Sequence, residues 1–356
     1  MSNIDDPFFF YSENFPKTLK KIKATLVFST YQAGKLIFIS SLNGKTIIKY
    51  AKGFKRPMGI AVDTKMKLAV ASRTSINVFA SNKALALSYP KKKKRYDQLF
   101  IPQVKYHTGY LDTHEIEFGK ENELYFINTM FSCISKVSAE KHFEMYWKPN
   151  FITELLPEDR CHLNGMAMKN GKPAYVTMFD TTNTSFGWKK TPKETGLLME
   201  VDTGKILLDQ LAMPHSPVYF DDKIYFLLSG TGEIKCYDLK SEQVTLISKI
   251  DSFLRGLVVY DDFLIVGTSK LREKTTTFKG LPFSSEDSYC GIYILNRATG
   301  KPMGGISYTD KIREIFSLKL LFDVQVPGIL IEHDEYHDKS IMADPNLNFW
   351  IKQKKK

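Results

Sequence analysis

The sequence lacks the features that would fix a function at a glance. Its 356 residues hold four cysteines, Cys133, Cys161, Cys236 and Cys290, and none are in C-x-x-C spacing. That spacing excludes a zinc ribbon or a thioredoxin-like motif and fits reduced, buried thiols in a cytoplasmic protein. No run of about 18 apolar residues occurs, so neither a transmembrane helix nor a membrane partner is expected. The opening MSNIDDPFFFYSENFPK carries acids where a secretory signal has positive charge, and no export signal is expected. A G-x-S-x-G elbow, a P-loop and a G-x-G-x-x-G fingerprint are all missing. Serine-hydrolase chemistry of that type and nucleotide chemistry are therefore disfavoured.

Charge is plentiful but local. The formal net charge is +11, and the runs KKKKR (91–95) and KQKKK (352–356) hold five and four of the positive charges. The rest of the chain is close to neutral. Such runs read as a solvated loop and a tail, dispensable for folding. Aromatics do not interleave them as a single-strand binding platform would need, so nucleic-acid binding is disfavoured.

What is present is a repeat. Six segments share one pattern of a small or polar residue, alternating apolar residues, a turn and a second strand. They are RPMGIAVD (56–63), THEIEFG (113–119), HLNGMAMKNG (162–171), PHSPVYFDD (214–222), LRGLVVYDD (254–262) and REIFSLKLL (313–321). Aligning Met58, His114, Asn164, Ser216, Arg255 and Glu314 gives spacings of 39 to 59 residues. That length suits a four-stranded propeller blade. The runs between them are short, with period-two alternation and Asp-Asp, Asn-Gly or Thr-Gly turns. The expected fold is all-β, a six-bladed β-propeller. Three N-terminal strands in ATLVFSTYQAGKLIFISSLNGKTIIKYAKG and one C-terminal strand near REIFSLKLLFDV complete one blade and close the ring. The expected division is an N-terminal extension (1–23), the propeller (24–330) and a charged tail (331–356), with the chain a monomer.

Innermost strands of a propeller start near one mouth of the central channel, so the six aligned positions meet at one axis. His162 and His215 lie beside Asn164 and Ser216, and Glu115 follows His114. Three imidazoles converging there suit a divalent transition metal such as Fe, Zn, Mn or Cu, with positions left open. His114, His162 and His215 are the candidate ligands. Glu115 or Glu314 is the candidate catalytic base or fourth ligand. Arg255 suits a bidentate clamp on a substrate anion, and Asn164 suits ligand orientation. The insertions at 179–196 and 268–291 are expected to cover the mouth, bringing Trp188, Lys270 and Arg272 to its lining. His107 is placed near the mouth, His142 on the surface, and His333 and His337 in the solvated tail. An ion pair within Glu158, Asp159 and Arg160 would order the loop before His162.

These residues also carry a resemblance. STYQAGKL (29–36), RPMGIAVD, PEDRCHLNGMAM (157–168), MPHSPVYF (213–220), the G-x-S-K-x-R-E stretch (267–273) and EIFSLKLLFDVQVPGI (314–329) occur in order. They resemble an uncharacterised, mainly bacterial family of conserved hypothetical proteins with a domain of unknown function. The resemblance spans residues 25–330 and implies a six-bladed propeller. A weaker, fold-level similarity runs to gluconolactonase and strictosidine-synthase-like propellers, many of which hold a metal at the channel mouth. The expected function is a metal-dependent enzyme, of hydrolase, lyase or oxygenase chemistry. Its substrate would be a small polar or anionic metabolite or a modified peptide. The rival expectation is a non-catalytic propeller that binds a protein or glycan.

Overall fold

The computed structural model describes residues 9–272, 276–309, 311–344 and 347–351. Glu273 and the basic run 352–356 lie outside them. Among the described residues, six antiparallel sheets stand around one axis as the blades of a propeller. Their innermost strands are Ile60–Val62, Thr113–Phe118, Gly165–Lys169, Pro214–Phe220, Phe253–Tyr260 and Ser317–Phe322, in blades 1 to 6. Each blade has four strands running outward. In blade 6 the inner strand is C-terminal, and it pairs with Ala24–Thr30, followed by Lys35–Ser40 and Ile48–Gly53. The ring is closed across the chain termini, as the strand pattern predicts.

Both faces of each blade are buried against a neighbour, so alternate residues of one strand enter different cores. Leu26 and Phe28 pack with Ile265 and Ile292 of blade 5, while Val27 packs with Ile60 and Val70 of blade 1. At the axis the blades come closest, and glycine is required. A Cβ at Gly165 would sit 2.4 Å from Pro217 of blade 4, and one at Gly59 would sit 2.9 Å from the His114 carbonyl of blade 2. The recurring glycine of RPMGIA and HLNGMA is this close approach.

The flanks are built into the ring. Phe9–Tyr11 adds a fifth strand to the outer edge of blade 5. Helix Asn14–Ile22 follows, and Phe15, Leu19 and Ile22 at helical spacing insert into the core between blades 5 and 6. Burying each contributes about 1.5–3 kcal/mol. Pro327–Ile329 adds a parallel fifth strand to blade 1. The segment after residue 330, expected as a solvated tail, is folded through Ile351. Its hairpin Ser340–Asp344 and Leu347–Trp350 sets Trp350 edge-on against Tyr89 and Tyr336. Met342 and Trp350 supply the packing that the charged flank obscured, while Ile341, Leu347 and Phe349 stay exposed. The run 91–95 is an exposed turn.

Hydroxyls stitch the blades together at the mouth. Each sits at or just past the end of a blade's second strand and donates to the carbonyl that opens the next blade's inner strand. Thr129 donates to Leu163 (2.7 Å), Ser229 to Leu254 (2.6 Å), Ser269 to Ile315 (3.1 Å), and Ser29 to Met58. All four hydroxyl residues are buried. Ser269 also accepts from the Ile315 N–H. Ser269→Ala strands a buried donor and acceptor together, and it should destabilise the protein by about 1–3 kcal/mol in urea unfolding. Ser241→Ala on an exposed turn should stay within about 0.5 kcal/mol. Equal midpoints for the two variants would show that the stitch is dispensable.

Candidate functional site

The mouth of the channel opens into a cavity of about 190 Å³. Four of the six aligned inner positions, Met58, His114, Arg255 and Glu314, line it. Asn164 and Ser216 line a much smaller chamber of about 10 Å³ directly beneath, shared with His114, His215 and Arg255. The repeat therefore brings all six positions to the axis, in two tiers.

His114 and His215 are built alike. The His114 Nδ1–H donates to the Asp112 carbonyl (2.9 Å) and to Thr129 Oγ1 (2.8 Å). The His215 Nδ1–H donates to the Met213 carbonyl (3.1 Å) and to Ser229 Oγ (2.8 Å). Asp112 and Met213 both have positive φ, 51° and 55°, which turns each carbonyl back onto the ring two residues later. Because both hydroxyls give their own proton to the next blade, they accept from Nδ1. The tautomer assigned from these bonds leaves Nε2 unprotonated and open to the cavity. Burial, with Arg255 nearby, pushes both imidazoles well below the usual histidine range. The repeat alignment set Ser216 against His114. The matching bonds set His215 there, one residue earlier.

His162 is placed differently. It lies on the loop before blade 3, at φ 50°, with Nδ1 3.0 Å from Asp159 Oδ2. The Trp188 indole N–H donates to the same oxygen (2.9 Å), and its ring lies 4.2 Å from the imidazole between centroids. The Glu158–Asp159–Arg160 loop does hold an ion pair, from Arg160 Nε to Glu158 (2.8 Å). Asp159 is separate from that pair and orients the site. Its position three residues before a histidine is the signal that could have found it.

The three histidines line one cavity but do not close on one point. The His114 and His162 rings are 5.1 Å apart, and Phe179 packs against both His162 (4.6 Å) and His215 (5.1 Å). Among the described residues, no three His, Cys, Asp or Glu side chains are grouped to hold a metal ion. Glu115 is absent from the upper cavity. It is buried beneath, its Oε2 accepting the Met166 N–H (2.9 Å), and burial pushes its carboxyl up to about 7. Glu314 is held in a two-pronged ion pair with Arg272, from Nη2 to Oε2 at 3.0 Å and from Nε to Oε1. Asn164 Oδ1 accepts from Thr177, while its buried Nδ2 finds no protein partner.

Arg255 is the exception among the cations. Its guanidinium lies 3.7 Å from the centroid of the Phe316 ring. Among the described residues no carboxylate lies within ion-pair distance of it. Burial, then the nearby Arg272, lowers its pKa to about 10, so it stays charged at neutral pH. The insertions roof the cavity as expected, supplying Trp188, Lys270, Arg272 and Phe278. They meet where Lys193 Nζ donates to the Lys279 carbonyl (2.8 Å). Composition alone did not show the aromatic wall of Tyr31, Phe179, Phe253 and Phe316, because these residues come from three different blades and from distant parts of the chain. His107, expected near the mouth, lies on the outer strand of blade 1 instead, with His333 and His337 in a separate groove.

Comparison with known proteins adds a family and a fold. The family profile described as Domain of unknown function (DUF4915) matches residues 13–330. No curated protein matches. A chain in the crystal structure of a nidogen/laminin complex superposes with TM-score 0.55 at 11% identity, over 84% of this chain and 99% of that one. A protein of unknown function from Bacteroides caccae superposes with TM-score 0.51 at 9% identity, over the same shares. At these identities the likeness is one of fold.

The histidine geometry predicts a pH dependence. An unfolded histidine takes up a proton near its ordinary 6.5, whereas folded His114 and His215 resist it. Below about pH 6.5 the unfolded state binds more protons. Stability should fall as the pH drops from 7 to 5, by at most about 1.4 kcal/mol per pH unit for each histidine. In EDTA-treated protein, the double variant His114→Asn, His215→Asn should lose less melting temperature over that range. Parallel curves for variant and wild type would contradict the bare Nε2 assignment.

Proposed function

The chain belongs to the DUF4915 family, and we propose that its channel mouth binds and processes a small ligand bearing an anionic group, anchored by Arg255. A guanidinium that no described carboxylate contacts at ion-pair distance carries this reading, although Glu314 and Asp112 act on it from farther off. A half-buried cation with no carboxylate in contact is costly to the fold, and an anion entering the cavity supplies a direct partner. The neighbouring Arg272 already has Glu314, which leaves Arg255 as the available clamp. Phe316 behind it and the aromatic wall exclude water and strengthen the pairing. Across the cavity, the bare Nε2 atoms of His114 and His215 accept protons or hydrogen bonds, the role of a general base near an anchored substrate. Enzyme chemistry of the hydrolase or lyase kind follows from that pairing of anchor and base.

One observation favours a second reading in which the site holds a divalent transition metal. Two Nε2 lone pairs at equivalent positions, each with its Nδ1–H tied to a carbonyl, form a donor set that suits such an ion. The side chains would have to rearrange for His215 to join His114 and His162, because the three are not grouped to hold an ion among the described residues. Zinc titration of EDTA-treated protein separates the readings. Stoichiometric uptake that each of His114→Ala, His162→Ala and His215→Ala abolishes supports the metal, and no uptake removes it.

For the anion, Arg255→Gln should weaken phosphate or oxalate binding by about 1.5–3 kcal/mol, roughly 10–100-fold. The same variant should melt higher than wild type without ligand, because it relieves a buried unpaired charge. Unchanged anion affinity in Arg255→Gln would overturn the reading.

A further inference from the structure

We propose that the ligand is the acidic end of an extended peptide, which reaches the mouth along a basic track from the outer edge of blade 1. This rests on the reading that the mouth binds an anion.

The track begins in an open groove of about 970 Å³ between the outer half of blade 1 and the segment after residue 330. Lys55, Arg73, Lys105, His107, His333 and His337 line it, and Glu332 is the one acid among its lining residues. Glu332 faces Lys105 at 3.5 Å. Among the described residues, Lys55 and Arg73 have no carboxylate within ion-pair distance. The groove carries more positive charge than its own acid balances, so its occupant is acidic.

The floor says what kind of acid. Phe54, Phe79, Val104 and Ile331 form it, and Val104 is 44% exposed. The strand Gln98–His107 pairs along its length with Ser75–Asn82. On its other side only residues 98–100 are paired, with Pro327–Ile329. Among the described residues, the rest of that edge has no backbone partner. An extended peptide can continue the sheet there, laying apolar side chains on the floor and acidic ones toward the rim. A bare polyphosphate or nucleic-acid backbone offers nothing to an apolar floor.

From the groove the charge continues to the mouth. Arg73 lies 5.8 Å from the ring of Tyr110, which is 52% exposed. Tyr110 is within electrostatic reach of Tyr31, Arg56 and the Asp112 carboxylate, the acid that the track passes beside the mouth. Arg56 lies over Tyr31 at 5.6 Å, and Arg272 lies over the same ring at 5.5 Å. Tyr31 and Arg272 then line the cavity beside Arg255. Guanidinium and phenol alternate from edge to axis, giving a chain-like acidic ligand successive charged and flat contacts.

The probe is a fluorescein-labelled decapeptide of alternating glutamate and leucine, read by fluorescence anisotropy. Wild type should bind it, less tightly as salt rises. The double variant Arg73→Glu, Lys105→Glu should bind about tenfold or more weakly while keeping its melting temperature. Phosphate binding at the mouth, read by tryptophan fluorescence to which Trp188 contributes, should be the same in that variant as in wild type. Arg255→Gln should weaken both ligands. The proposal fails if wild type does not bind the peptide, if the double variant binds it equally, or if polyphosphate of equal charge binds more tightly. Any of these with phosphate binding still dependent on Arg255 overturns the track and leaves the mouth reading standing. Loss of that dependence strikes the mouth reading itself.

Discussion

A hydroxyl has one proton to donate, and in this ring the seam between blades determines where it goes. Thr129 and Ser229 give theirs to the opening carbonyls of the next blade, Leu163 and Leu254. Each oxygen is then left only as an acceptor, and the nearest donor is a histidine Nδ1. Neither imidazole can reverse its tautomer without stranding a buried group at the seam. The contact that aligns one blade on the next therefore also sets the protonation of the site. Ser29 and Ser269 make the same stitch where the inner position carries no histidine. The stitch belongs to the fold, and the site is an elaboration of it at two blades.

The axis below is charged but mostly balanced. Lys319 pairs with Glu117 deep in the channel, and Arg272 pairs with Glu314 at the mouth. Among the described residues Glu115 has no lysine or arginine at ion-pair distance and Asp112 faces only the neutral His114 (3.8 Å), and burial pushes both carboxyls upward. Arg255 faces the opposite penalty and keeps its charge, because a guanidinium is too basic to give up its proton at neutral pH. Fold stability alone would favour an apolar residue on Phe316, so the guanidinium marks a position where the structure departs from its stability optimum.

The six blades were legible because a propeller repeats its local rule. Glycine opens several of the inner strands, period two runs outward, and Asp-Asp or Thr-Gly turns punctuate the hairpins. The closing blade was legible because three strands lacked a first member at one end of the chain and one strand lacked successors at the other. The site was legible to its location and less so to its contacts. Choosing His114 and His215 needed only the repeat, but matching them required the hydrogen bonds, since a one-residue offset is invisible to a loose alignment. Phe179, which packs against both His162 and His215, reads in sequence as an ordinary strand-end aromatic. The docked hairpin after residue 340 was missed because its few apolar residues pack on Tyr89 and Tyr96, more than 200 positions earlier.

The cavity is polarised, and that restricts how any ligand lies in it. Neutral imidazoles whose Nδ1–H is already bonded present only lone pairs, so the His114 and His215 side repels an anion and welcomes a proton donor or a cation. The guanidinium of Arg255 presents only N–H groups and does the reverse. Under the proposed anion reading, a ligand with an anionic group and a protic group would enter in one orientation, anion on Arg255 and O–H or N–H toward the histidines. The Phe179 and Phe253 rings beside His215, with Trp188 beside His162, would hold the body of such a ligand between the two poles, the indole N–H being already given to Asp159. In the proposed orientation a ligand proton would face the acceptor nitrogens, and its charge would rest on the guanidinium that no described carboxylate contacts at ion-pair distance.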